Sequence, residues 1–99
     1  MTKKYALKEK MWLYPGKAAW YFITIPPETA ADIDYFFSIH KRGWGSLPVT
    51  VTVKETTWKT SIFPDKKTHS YLLPIKAEVR KKEGMQENQT ISFALEIVS

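Results

Sequence analysis

The sequence predicts a mostly β fold: a small closed or nearly closed β-barrel of about six strands with two short helices. Three observations predict it. Apolar and polar residues alternate in strict period two over Leu47–Val53 and again over Thr90–Val98, the spacing of strands with one buried face. Only two stretches carry helical signals, and there is no alternation of strands with long helices such as a parallel sheet requires. Ninety-nine residues, 43% apolar and 14% aromatic, fill one core, so the chain is expected to be one domain over residues 1–99. Closing the sheet on itself is how so small an antiparallel structure hides its edges.

In chain order, residues 5–14 and 18–25 flank the turn pair Pro15-Gly16 and read as a first hairpin. The first helix opens at Pro26-Pro27, where a missing N–H costs nothing in the first turn, and Glu28 suits the positive helix start. Ala30, Ile33, Phe36 and Phe37 then form an apolar stripe at helical spacing. Leu47–Val53 is the third strand, and a polar connection at Lys54, Glu55 and Thr56 leads to a fourth over residues 57–63, closed by Pro64-Asp65. Residues 70–75 supply the fifth strand. The second helix covers residues 76–83 and stops at Gly84, with Glu78 and Lys82 spaced to pair on its surface. Thr90–Val98 is the last strand. Period two places Val49, Val51, Ile62, Leu73, Ile91, Phe93 and Leu95 in the core, with Trp58 inward and Lys59 on the opposite face together with Ser61. The runs 21–26 and 70–74 both end in proline and both enter a helix, an internal echo that suggests pseudo-twofold architecture.

Four blocks carry a family resemblance. Trp20 to Pro26, then Arg42-Gly43-Trp44-Gly45-Ser46-Leu47-Pro48-Val49, then Thr57-Trp58-Lys59-Thr60-Ser61-Ile62-Phe63-Pro64, then Tyr71-Leu72-Leu73-Pro74-Ile75-Lys76-Ala77-Glu78-Val79-Arg80 together resemble the signature of the bacterial domain of unknown function 1905 family. The resemblance implies a small β-barrel that occurs alone or beside a YdeI/OmpD-associated segment linked to bacteriocin protection, and it implies no particular activity. The C-terminal half is more loosely similar to the swapped-hairpin barrels of AbrB-type transcription factors and antitoxins. Where those place Gly-Asp before the last strand, this chain has Asn88-Gln89, and asparagine accommodates the left-handed turn.

Composition removes several function classes. Without cysteine there is no disulfide framework, thiolate metal site or cysteine nucleophile. His40 and His69 have no acidic or second histidine partner at ligand spacing, so no metal and no cofactor are expected. Ser46 and Ser61 lack a nucleophile elbow, no glycine-rich phosphate loop is present, and Asp32 and Asp34 point to different sides of their helix, so an enzyme is not expected. No window approaches the ~20 apolar residues of a membrane span and no signal-peptide pattern opens the chain, so no membrane association is expected and a cytoplasmic location is the expectation. The formal charge of +5 is unevenly placed, because residues 26–39 contain three acids and neither Lys nor Arg.

That basic surface serves solubility or meets an anionic partner. Trp44, between two glycines after Arg42, caps the barrel end or walls a pocket. Lys76 and Arg80 are one helical turn apart and can grip a carboxylate or phosphate together. The expectation is therefore a noncatalytic binding module in which Arg42, Trp44, Lys59, Lys76 and Arg80 line one shallow basic and aromatic site for an anionic ligand or protein partner. The alternative is nucleic-acid binding by the basic surface, in the AbrB manner, with tryptophan and tyrosine available for base stacking.

Overall fold

Each period-two run becomes a strand. The computed structural model describes residues 1–16 and 20–98, which form β1 (Thr2–Leu13), β2 (Tyr21–Thr24), α1 (Pro27–Phe37), β3 (Leu47–Val53), β4 (Thr56–Asp65), β5 (Ser70–Pro74), α2 (Ala77–Glu83) and β6 (Thr90–Val98). Two short 3₁₀ turns, Ser38–His40 and Gly43–Gly45, link α1 to β3. The strands close into an antiparallel barrel in the order β1-β2-β5-β4-β3-β6. Val49, Val51, Ile62, Leu73, Ile91, Phe93 and Leu95 are all buried, and Trp58 joins them, as the alternation predicts.

Boundaries differ from the expected ones for local reasons. β1 begins at Thr2 rather than residue 5, because its ladder with β6 runs unbroken from Thr2 opposite Val98 to Lys10 opposite Thr90. An expected start of β2 at Ala18 falls among residues outside those described, and the strand proper begins at Tyr21. The β3–β4 turn is two residues long, with Lys54 in the left-handed region at φ 52°, so β4 starts at Thr56. Nor does Pro64 end β4. The β3 ladder stops at the Leu47–Ile62 pair, so the proline's missing N–H faces a side where no ladder needs it. Glu78 and Lys82 form no ion pair; among the described residues the ion pairs are Lys3–Asp32 at 2.9 Å and Lys41–Asp34 at 3.1 Å.

The echo between residues 21–26 and 70–74 is structural. β2 and β5 pair about Ile23 opposite Leu73, and two equivalent bonds flank that centre: Ile25 N–H to the Tyr71 carbonyl and Ile75 N–H to the Tyr21 carbonyl, each 2.9 Å. Each strand then delivers a helix onto one side of the barrel. On the α1 side the packing is dense. Asp32 accepts from the Tyr5 hydroxyl at 2.6 Å and from Lys3 Nζ at 2.9 Å, while Asp34 accepts from the Tyr71 hydroxyl and from Lys41 Nζ. Tyr5, Leu7 and Phe36 pack against the core there. α2 is shorter, at seven residues, ending in Gly84 at φ 62° and tied to the start of β4 where Thr56 donates to Glu83. The gap between β4 and α2 is where the barrel opens.

Candidate functional site

Pro74 is the residue that opens it. The Tyr71 carbonyl accepts from Ile25, so Tyr71 turns its main-chain groups toward β2, and Ser70 and Leu72 turn theirs toward β4 by alternation. Pro74 lies on the same side as Leu72 and has no N–H to give, so the β4–β5 ladder stops after Phe63 opposite Leu72. Beyond this point β5 stays paired with β2 as far as Pro74 and Ile75 and then enters α2, while β4 parts from it and continues along β3. The two diverging elements bound a groove of about 540 Å³, within the size range of ordinary ligand pockets.

One wall and the floor are apolar: Phe22, Phe63, Leu72 and Pro74 from the outward face of the sheet, with Trp58 and Ile75 below. Trp20, half exposed, stands at one side and meets Phe22 edge-on with ring centroids 6.3 Å apart. Behind it Trp12 and Tyr14 continue the aromatic cluster, and Trp12 Nε1 donates to Thr24 Oγ1 at 2.9 Å. The groove also takes Lys59 from β4, Lys76 from the residue that caps α2, and Arg80 from the last turn of that helix. Among the described residues no Asp or Glu lines it. Lys59 and Lys76 are exposed. Arg80 is half-buried, with its guanidinium 4.1 Å from the Tyr21 ring centre and Nη1 donating to the Ile75 carbonyl at 2.7 Å. It is a fixed cation with donors to spare.

Of the five residues expected to share a site, the fold brings together Lys59, Lys76 and Arg80. Arg42 lines a separate depression with His40, Leu47, Pro48, Ile97 and Val98. Trp44 lines neither and is 94% exposed, so it does not cap the barrel end. It sits at φ 65°, an uncommon conformation for a bulky residue, and is followed by Gly45 at φ 77°, where a Cβ would come within 3.2 Å of Pro64. The aromatic wall expected from Trp44 is supplied by Trp20, Phe22 and Phe63 instead. A sequence signal for these residues exists: Trp12, Tyr14, Trp20 and Phe22 alternate with the buried Met11 and Ile23, so this hairpin is apolar on both faces. A strand with a large apolar outer face lies under something else or binds something.

The family model described as Domain of unknown function (DUF1905) matches residues 8–95. The chain belongs to the DUF1905 family. The matched span contains every residue lining the groove of this DUF1905 domain. No curated protein matches the chain. Among the described residues of the DUF1905 barrel no group of three or more His, Asp or Glu side chains could hold a metal ion, and no helix is long and apolar enough to cross a membrane.

Proposed function

We propose that this DUF1905 barrel is a noncatalytic binding module whose groove takes a ligand with an apolar body and an anionic end. The observation that carries the reading is the lining itself: a concave apolar surface rimmed by three cations, with no acid to neutralise them. An apolar floor gives affinity by burial, and a few charges at fixed positions give orientation. Arg80 is held in place by Tyr21 and the Ile75 carbonyl, so little side-chain entropy is lost when it meets a carboxylate or phosphate. Lys59 and Lys76 add attraction from opposite sides of the groove.

Titration with octyl phosphate, followed by tryptophan fluorescence, tests this, since Trp20 and Trp58 both line the groove. Lys59→Ala combined with Lys76→Ala is expected to weaken binding about tenfold, equivalent to about 1.4 kcal/mol. Both side chains are exposed, so thermal stability should be unchanged. Equal affinity in the double variant would refute the anionic end of the reading.

A second reading rests on a different observation, the fully presented Trp44 ring next to exposed Arg42. An exposed aromatic beside a cation can stack a base and meet a phosphate. Binding of oligo-dT that falls steeply with salt and is abolished by Trp44→Ala would favour it over the groove.

A further inference from the structure

Resting on this reading of the groove, we propose that its occupant is an extended acidic peptide that adds as a strand to the free edge of β4. The observation is main-chain geometry. Phe63 and Asp65 turn their N–H and C=O groups toward β5, so Ser61, Lys59 and Thr57 turn theirs to the same side, in step with the two-residue turn at Lys54-Glu55. On that side β5 has already left, because Pro74 cannot donate. Among the described residues nothing bonds to the main chain of Thr57, Lys59 or Ser61 there. Three consecutive donor–acceptor sets thus share one bare edge about 13 Å long at ~3.3 Å per residue, with Lys59 in the lining of the apolar groove and Thr57 and Ser61 on either side of it.

Such an edge is a template for strand addition, with main-chain bonds giving affinity and alternate side chains giving specificity. Side chains of an added strand that point inward meet Trp58 and Ile75; those that point outward meet Lys59 on the neighbouring strand and Lys76 across the groove. The matching sequence alternates apolar and acidic residues. A second copy of this chain fits poorly, because β4 joined edge to edge with its own copy would bring the lysines and Arg80 of one groove against those of the other. Charge selects an acidic partner instead.

The probe is a blocked heptapeptide alternating aspartate with valine or leucine, titrated against the full chain with ¹⁵N detection. Binding should move the Lys59 and Ser61 amide signals and slow their hydrogen exchange. N-methylation of alternate peptide residues whose N–H faces β4 should weaken binding about tenfold or more, whereas methylation of the intervening residues should leave it nearly unchanged. Lys59→Glu should weaken the aspartate peptide and favour its lysine counterpart. Equal effects of the two methylation patterns, or unchanged exchange at Lys59 and Ser61 on saturation, would overturn strand addition. A peptide that fails while octyl phosphate still binds sinks the peptide proposal and leaves the groove reading standing; failure of both sinks both.

Discussion

Val51 has no exposed surface and lies between Trp58 of β4 and Leu95 of β6. An aspartate there would be a buried charge with no partner, costing several kcal/mol of the 5–15 kcal/mol typical of a domain. Val51→Asp is expected to be unfolded at room temperature by circular dichroism, and a variant melting with the wild type would mean that the register of β3 is wrong. The carboxylate at Asp32 is a different case. Hydrogen bonds from Tyr5 and Lys3 hold its pKa below the ordinary aspartate range, while burial and that same carboxylate push the Tyr5 hydroxyl upward. A depressed folded-state pKa stabilises above the unfolded value of 3.8 and loses that contribution as pH falls through the folded value. Urea midpoints measured from pH 7 down to pH 2 should therefore fall less steeply below about pH 4 in Asp32→Asn than in the wild type. Arg80 shows how one residue serves two ends. Its place in the groove was expected from its spacing with Lys76, but its stacking on Tyr21 depends on β2, fifty-nine residues away in the chain and invisible to local pattern.

At the level of elements, turn chemistry was the most legible feature. Gly16, Gly84 and Asn88 all adopt positive φ where a turn or helix end was expected. Gly84 accepts the left-handed conformation at the end of α2 and its N–H bonds back to Lys81. A Cβ there meets no atom within 4 Å, so Gly84→Ala carries only the conformational penalty. That penalty is about 1 kcal/mol, expected as a drop in denaturation midpoint without change of slope. Lys54 and Trp44 take the same conformation without a residue type that announces it. For Lys54 the cause is the two-residue turn, which β3 and β4 impose by pairing up to Val53 and Thr56. Pro74 reads in the sequence as a helix entrance. Its second consequence, ending the β4–β5 ladder, appears only once Leu72 is placed opposite Phe63.

In the whole molecule, the barrel closes by pairing its first strand with its last, over nine residue pairs from Thr2–Val98 to Lys10–Thr90. Contacts that distant in sequence make loop closure costly, so refolding from urea is expected in milliseconds to seconds by stopped-flow tryptophan fluorescence, and microsecond relaxation would contradict it. The same closure divides what could be read early from what could not. Alternation of apolar residues determined that strands form and which of their faces is buried, because side-chain direction repeats every two residues whatever the partner. It placed Val49 through Leu95 correctly and put Trp58 inside with Lys59 outside. It could not determine which strand edges meet, since main-chain hydrogen bonds carry no side-chain signature. The order β1-β2-β5-β4-β3-β6 is a property of the closed structure. That order brought Lys59, Lys76 and Arg80 to one groove, sent Arg42 to another depression and left Trp44 in solvent, and together with Pro74, where the β4–β5 ladder ends, it bared the edge of β4.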